Sequence, residues 1–447
     1  MMNPDTECKN KIIIQGKIRT DSPLHIGSGS GKRSDLDILL DRKGNPFIPA
    51  TAFIGSLKHA IKSREKDFDK NARQFWGFTE DKSAMQSAIR CADLMMKNPA
   101  KPVIRDGIRI DNKSGMVLHK GKYDYEVLEQ GAVFHLNMEI DCLPSEGDFP
   151  KRMAATIYSL LQKGKLQLGA KSNSGLGKCS LMEKDTKILF FDFTDKPDVF
   201  YWLTRNFSAK KPMSVSALGK IFDIPQNNFR MDLTMELKNS LIIRSYPKRP
   251  ELPDAVHLHS GGEPVLTGTS LKGAIRARAE RICKTLGINK DFAENLFGIV
   301  VENDENSRAK KGKVVIHEII MPRFVAELQN RIKIDRFTGG TIQSALFDSM
   351  PMFRDDTDKV MNMILEIRQC TEAEAGLILL VLKDIWTGDI AVGGEKNVGR
   401  GVFQGLGAFI EWDDKKYMLD KNIRQTKQED RQQLQKFVDT FISEAGS

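Results

Sequence analysis

Three things are scarce in this chain, and each scarcity closes a class of function. The six cysteines (Cys8, Cys91, Cys142, Cys179, Cys283, Cys370) are scattered without a C-x-x-C pair. Neither a disulfide framework nor a zinc ribbon is therefore indicated, and the cytoplasm is the expected compartment. No apolar run reaches the roughly 18 residues of a membrane span, and the polar start MMNPDTECKNK lacks the apolar stretch of a signal peptide, so no membrane partner is expected. Histidine is sparse, and His119, His257, His259 and His317 stand at no metal-ligand spacing. The stretch GSGSGKRS imitates a phosphate-binding P-loop but fails on position. Ile26 stands where the first glycine belongs, Arg33 stands where Ser or Thr should hold magnesium, and a strand-like segment follows instead of a helix.

What is present fits a soluble globular protein of two or three domains: 447 residues, 40% hydrophobic and 28% charged. A net charge of +9, from 68 basic and 59 acidic residues, favours an anionic partner without deciding that it is nucleic acid.

The sequence is organised around a glycine-rich stretch that occurs twice. Residues 391–403, AVGGEKNVGRGVF, carry Gly393, Gly394, Gly399 and Gly401 between apolar ends. In LGAKSNSGLGKCSL, residues 168–181, Gly169, Lys171, Asn173, Gly175 and Gly177 stand opposite Gly393, Glu395, Asn397, Gly399 and Gly401, all 224 residues apart. Glycine permits positive φ and the close approach of another backbone. The interleaved Lys171, Lys178, Lys396 and Arg400 point to a polyanion as that backbone.

Further landmarks recur in the same order, as a duplicated unit requires. FIPATAFIGSLK (47–58) matches VLTGTSLKGAIR (265–276) at an offset of 218, placing Thr51, Gly55 and Lys58 opposite Thr269, Gly273 and Arg276. FWG (75–77) matches LFG at 221, and RIDNKSGM with Asp111 matches KIDRFTGG with Asp335 at 224. Each half reads as strand, helix, further strands, helix, glycine-rich strand pair. That order predicts an α+β fold of two tandem ferredoxin-like domains, the RRM-like βαββαβ scaffold, although neither half carries the aromatic RNA-stacking signature of RNA-recognition motifs. The expected division is 1–185, a connector with a short helix at 186–228, 229–412, and a charged tail at 413–447 forming a surface helix. Thr51 is the expected N-cap of a helix reaching about residue 64. Hairpins are expected at 112–129 and 337–352.

Taken together, FIPATAFIGSLK, VLTGTSLKGAIR, IRID, KIDRFTGG and the two glycine loops resemble the RAMP superfamily, the proteins that form the CRISPR RNA-binding backbone of type III CRISPR effector complexes. The first half departs from the pattern. Asn112, Lys113 and Ser114 replace the R-x-T seen as Arg336, Phe337 and Thr338, and Ala170 and Ser174 loosen the glycine loop. The resemblance implies that each domain grips CRISPR RNA and pushes a thumb hairpin between bases of the guide-target duplex. It also implies partners: CRISPR RNA, complementary target RNA and other effector subunits.

Residue chemistry agrees with an RNA grip. Helix N-terminal amides at Thr51 and Thr269, followed by Lys58, Lys272 and Arg276, make a phosphate seat. Lys171, Asn173, Gly175, Lys178, Lys396, Asn397, Gly399 and Arg400 are the RNA-binding set of the loops. Asp111 and Asp335 are expected to bond loop amides and to play no catalytic part. For cleavage, RNA needs its 2′-hydroxyl in line with the adjacent phosphate, and a carboxylate with a divalent ion, Mg2+ or Mn2+, assists. The resemblance implies a loop aspartate ahead of the motif helix, which is Asp35 in SDLDILLD, with Asp37 its rival. A gapped alignment of GGEPVLT with KGNPFIP places Asp254 opposite Asp35 as a second catalytic and metal-binding carboxylate. The alternatives are a non-catalytic RNA-binding scaffold and metal-free CRISPR RNA processing through His25 or His59.

Overall fold

The computed structural model describes residues 9–29, 31–80, 83–98, 100–111, 114–224, 228–247, 251–299, 310–321, 323–354, 360–413, 415–422 and 425–445. Two compact units emerge. One comprises residues 1–104, 125–172 and 176–225, the other 105–124, 173–175 and 226–447.

The first unit is built on β1 (Asn10–Thr20), whose Ile12, Ile13 and Ile14 are all buried because both faces of the strand are covered. After it come α1 (Ala50–Ala60), α2 (Phe68–Trp76), β2 (Ile89–Cys91) and the start of β3 (Val103–Ile110), whose residues from 105 on belong to the second unit. Next are β4 (Val117–Val127), which rejoins the first unit at residue 125, β5 (Val133–Cys142), α3 (Phe149–Gln162), β6 (Leu166–Gln167) and β7 (Lys178–Leu181). The sheet runs β6-β7-β1-β5-β2, and its four main strands appear as fourth, first, third and second, the order of a ferredoxin-like βαββαβ core. β1 and β5 pair antiparallel from Asn10↔Cys142 to Arg19↔Val133.

The segment read as a connector contributes to this unit. β8 (Lys187–Asp192) takes over the pairing of β1 from β7, from Asn10↔Asp192 to Gln15↔Lys187. The handover falls at Gly16, where a Cβ would stand 2.2 Å from Thr186 Oγ1. α4 (Lys196–Leu203) follows, and Trp202 and Phe207 pack with Phe191 and Ile13 on the face opposite the main core. An aromatic-rich segment beside an exposed apolar sheet face lowers its free energy by covering that face.

In the second unit β9 (Asn228–Leu237), α5 (Gly268–Thr285), α6 (Lys290–Phe297) and β10 (Val314–Ile316) repeat the order. They are followed by β11 (Gln329–Ile334), β12 (Thr341–Met350), β13 (Val360–Arg368), α7 (Glu372–Thr387), β14 (Phe403–Trp412) and β15 (Lys415–Asp420). The sheet order is β10-β13-β9-β14-β15. Here one strand, β14, does the work of β7 and β8, with a bulge at Thr234/Met235 in place of a break.

The helices bury matched stripes. Phe53 and Leu57 of α1 and Leu271 and Ile275 of α5, 218 residues on, lie one turn apart facing their cores. α7 starts in a capping box, with Thr371 Oγ1 accepting from Glu374 N and Glu374 Oε2 accepting from Thr371 N. α8 (Gln428–Ala445) is more than a surface helix. Its Leu434, Phe437 and Phe441 are buried in the second core. Gly376 of α7 allows this, since a Cβ there would stand 2.1 Å from Phe437 O. Ile423 lies outside the described residues.

Candidate RNA interface and loop carboxylates

The glycine loops are conformational copies. Gly169 and Gly393 have φ of 74° and 89°, Lys171 and Glu395 both 56°, Gly175 and Gly399 86° and 84°, and Gly177 and Gly401 79° and 73°. A short 3-10 turn lies in each, Ser172–Ser174 and Lys396–Val398. The backbone drawn close by these glycines is the protein's own. Gly177 N donates to Pro23 O at 2.8 Å and Leu168 N to Gly177 O at 2.8 Å. In the second copy Gly401 N donates to Ser240 O at 2.7 Å and Val392 N to Gly401 O at 2.9 Å. Positive φ is thus used first to fold the loop back on its own strand.

The loops differ in what their tips meet. Lys171 Nζ lies 4.3 Å from the centre of the Tyr125 ring. Asn173, in the second unit, donates through Nδ2 to Gly312 O at 2.6 Å, and a Cβ on Gly175 would meet Ile316 O at 2.7 Å. Lys178 is half-buried in β7. By contrast Lys396, Asn397 and Gly399 are exposed, and open space surrounds Gly399.

Arg400 is 3% exposed and is held inside: Nε donates to Glu395 Oε2 at 2.7 Å, Nη1 to Ser240 Oγ at 2.7 Å and Nη2 to Gln329 Oε1. Glu395 also meets Arg331 at 2.8 Å and Arg244 at 3.2 Å. Burial alone would raise the Glu395 carboxyl, but Arg400, Arg244 and Arg331 hold it below its ordinary value. Glu395, Arg244 and Arg331 border an open cavity of about 410 Å³ that Ile332, Phe347, Asn397 and Val398 also line.

Neither Thr51 nor Thr269 is an N-cap. Pro49 precedes α1 without a side-chain cap, and Asp93 Oδ1 accepts from Ala50 N at 2.8 Å. Thr267 caps α5 by accepting from Ser270 N at 3.3 Å. Backbone closes over the start of α5, where a Cβ on Gly268 would stand 2.3 Å from Ser174 O. Lys58 is exposed, whereas Lys272 Nζ donates to Val314 O at 2.9 Å and Arg276 Nη1 to Gly298 O at 3.1 Å. Gly55 and Gly273 leave bare backbone on the exposed faces of α1 and α5, with nothing within 4 Å of a Cβ at either position.

The hairpins begin earlier than their sequences indicate, at Val103 and Gln329, and 112–113 lie outside the described residues. Asp111 and Asp335 sit at the turns and bond loop amides. Asp111 Oδ2 accepts from Ser114 N at 2.9 Å, and Asp335 Oδ1 accepts from Phe337 N and Thr338 N at 2.8 Å each. Those bonds hold the Asp335 carboxyl below its ordinary value. Apolar side chains stand in solvent on both hairpins, including Met116, Leu118, Leu346 and Phe337, the last 99% exposed. Isolated apolar side chains on a polar protrusion are suited to contact with bases.

Asp37 and Asp35 have separate parts. Asp37 is 6% exposed; its carboxylate accepts from Lys32 N at 2.7 Å, Arg33 N at 3.1 Å, and Ser34 N and Oγ at 2.9 Å each. The amide of Lys32 foremost, against the opposing effect of burial, with Ser34 and Arg33, brings the carboxyl down to about 2. It ties residues 31–37 into a tight loop that leaves Asp35 exposed. Leu36, next along, bridges in parallel with Tyr125 at the end of β4. In the second unit Ala255 pairs in parallel with Ser349 at the end of β12. Asp35 and Asp254 each immediately precede such a pairing, so the gapped alignment puts them at equivalent places. Asp254 is exposed, its N donates to Asp348 Oδ1 at 2.7 Å, and Asp348 N donates back to Asp254 Oδ2 at 3.4 Å. Asp348 escaped the sequence reading; its signal was Asp124, 224 residues earlier.

Among the described residues no three His, Cys, Asp or Glu side chains gather to hold a metal. One or two carboxylates at each hairpin base still match Mg2+, which keeps waters and completes its shell with substrate phosphate oxygens. His25 is 3% exposed and its Nδ1 lies 2.6 Å from Glu126 O, which places the ring in the interior; His59 is exposed on α1. No helix among the described residues is long and apolar enough to cross a membrane.

No curated protein matches the chain. The RAMP superfamily matches residues 17–180 and 234–404, which takes in both motif helices, both glycine loops and part of each sheet. With the sheet order and the repeated loop geometry, this settles the family: the chain belongs to the RAMP superfamily as a tandem member, a CRISPR-associated RNA-binding protein.

Proposed function

We propose that this tandem RAMP protein is a backbone subunit of a type III CRISPR effector that grips CRISPR RNA and cuts the paired target RNA. The observation that carries the cutting is the shared placement of Asp35 and Asp254, each exposed one residue before a parallel pairing with the second strand of a hairpin.

Apolar side chains on the hairpin separate neighbouring bases of the target and leave one nucleotide splayed. Its 2′-hydroxyl then swings into line with the adjacent phosphate and attacks it, closing a 2′,3′-cyclic phosphate as the P–O5′ bond breaks and the 5′-oxygen leaves with a proton from water. Asp35, held outward by the Asp37 loop, stands at the hairpin base to accept the hydroxyl proton or to orient the phosphate. Asp35 and Asp254 would hold Mg2+ or Mn2+, which when bound neutralises charge developing on the phosphate. The burial of His25 disfavours that residue as the base of a metal-free reaction, while His59 is exposed on α1.

The test is to express the protein with its neighbouring CRISPR genes, sequence the co-purified RNA and supply complementary target. CRISPR RNA should co-purify, and target should be cut only inside the guide-paired region and only without EDTA. Complex formation without any small RNA would overturn the RNA grip, and EDTA-resistant cutting would overturn the carboxylate-metal mechanism.

A further inference from the structure

The open cavity of the second unit carries two arginines that neither the RNA grip nor the cutting mechanism employs. Arg244 and Arg331 both line it, and both meet the buried Glu395, at 3.2 Å and 2.8 Å. Arg331 stands directly across from Phe347 in the pairing of β11 with β12. Arg244 lies against the glycine loop, where Gly394 N donates to Ile242 O at 2.8 Å. A Cβ on Gly394 would stand 3.1 Å from Arg244 Nε, so glycine there gives the arginine its place. Ile332, Asn397 and Val398 complete the lining, and the volume of about 410 Å³ falls within the roughly 300–1,000 Å³ of small-molecule sites.

The duplication shows that the fold does not require this set. Ala170 N donates to His25 O at 2.9 Å as Gly394 N does to Ile242 O, which makes His25 the counterpart of Ile242 and Gly27 that of Arg244. The 224-residue offset puts Gly107 at the place of Arg331, Tyr123 at that of Phe347, Ala170 at that of Gly394 and Lys171 at that of Glu395. Both arginines are thus glycines in the first copy, and the acid that joins them is a lysine. A Cβ on Gly107 would stand 2.4 Å from Tyr123 Cζ, so an arginine side chain there would collide with the ring. Bracing the glycine loop needs no opening to solvent, yet Arg244 keeps 43% and Arg331 25% of its side chain exposed.

We propose that this cavity binds a nucleoside monophosphate, with the phosphate on Arg244 and Arg331 and the base against Phe347. Three guanidiniums, those of Arg244, Arg331 and Arg400, surround the single carboxylate of Glu395, so the group has positive charge to spare for an anion. Glu395 fixes the two open guanidiniums side by side, and their planar forks match the oxygens of a phosphate. Ile332, Phe347 and Val398 offer apolar surface to the flat faces of a base, which a bare anion would leave uncovered. The Asn397 amide supplies both a donor and an acceptor for the polar edge of that base. The monophosphate comes either free from solution or as the 5′-phosphorylated end of an RNA strand. The site stands apart from the RNA grip, whose contacts it does not need.

The experiment titrates full-length protein, freed of nucleic acid, with AMP, GMP, CMP and UMP in a calorimeter, and with adenosine and inorganic phosphate as the separate halves. At least one monophosphate should bind in a single site, and each half should bind roughly tenfold more weakly or worse. Arg244→Gln should weaken the monophosphate about ten- to a hundredfold by removing charged hydrogen bonds, and Phe347→Leu roughly tenfold by removing the stacking face. Both side chains are more than a third exposed, so either variant serves if the other fails to fold. Competition with a four-nucleotide RNA distinguishes the sources. Displacement by the 5′-phosphorylated RNA but not by its 5′-hydroxyl form assigns the site to a strand end, and displacement by neither assigns it to a free nucleotide. Equal displacement by both forms would overturn the site by making it a stretch of the RNA groove. Absence of binding by all four monophosphates, or wild-type affinity in both variants, would overturn it and leave the RNA reading standing.

Discussion

Gly177 lies so close to Leu168 that a Cβ on it would stand 1.8 Å from the Leu168 carbonyl oxygen, and Gly401 stands in the same relation to Val392. Gly399, with φ of 84°, faces open space. Substitution should separate backbone conformation from close approach. Gly399→Asn should be nearly neutral because asparagine tolerates the left-handed region. Gly177→Ala and Gly401→Ala should lose about 1–3 kcal/mol to backbone strain, with the overlap added. Urea unfolding checks the ranking.

Arg400 is expected to be a brace, because its guanidinium is spent on Glu395, Ser240 and Gln329. Arg400→Met leaves buried polar partners behind and should cost about 3–5 kcal/mol. The salt slope of RNA binding in the folded fraction should not change. A lower slope with unchanged stability would return Arg400 to the RNA-contacting set.

His257 is buried between Ile243 N, which donates to its Nδ1 at 3.2 Å, and Val265 O, 2.9 Å from Nε2, so the ring is held neutral. Burial foremost lowers it from 6.5 to about 4. The unfolded chain therefore binds the proton first as pH falls. Stability is full above 6.5, is lost as pH drops towards 4, and the loss levels at about 3 kcal/mol. His257→Gln should flatten that acid limb in thermal melts taken across the range.

Asp37 is read as a positioning residue. Its folded carboxyl at about 2 lies below the ordinary 3.8, so its contribution is present above 3.8 and lost as pH falls towards 2. Asp37→Asn should loosen residues 31–37 and reduce the cutting rate at the Asp35 position while leaving target affinity unchanged. Equal loss of affinity would instead make it part of the RNA-binding surface.

The duplication was legible because repeated motifs at offsets of 218 to 224 constrain both copies to one fold. The turn aspartates were legible because Asp followed by Ser or Thr three residues on bonds its own loop. The packing role of the glycines is not legible in the sequence. Positive φ can be read from glycine spacing, but whether the approaching backbone belongs to RNA or to residues 23 and 240 depends on pairings far apart in sequence. Arg400 and Lys178 read as surface cations for the same reason. Asp37 and Asp35 are both acids in one short strand-like stretch, and only the folded loop distinguishes the buried one from the exposed one. The connector and tail were undervalued because scattered aromatics and aliphatics reveal a packed face only once the surface they cover exists.

The most direct measurement is the product ladder from one guide-paired target RNA, cut by complexes carrying wild type, Asp35→Ala, Asp254→Ala or both. Wild type should give two cuts at a spacing that does not vary with target sequence. Each single variant should erase a different cut with RNA affinity retained, and the double variant should erase both. Cutting at both positions by the double variant would contradict the account. An unchanged ladder from Asp254→Ala alone would leave the second unit as a grip on RNA.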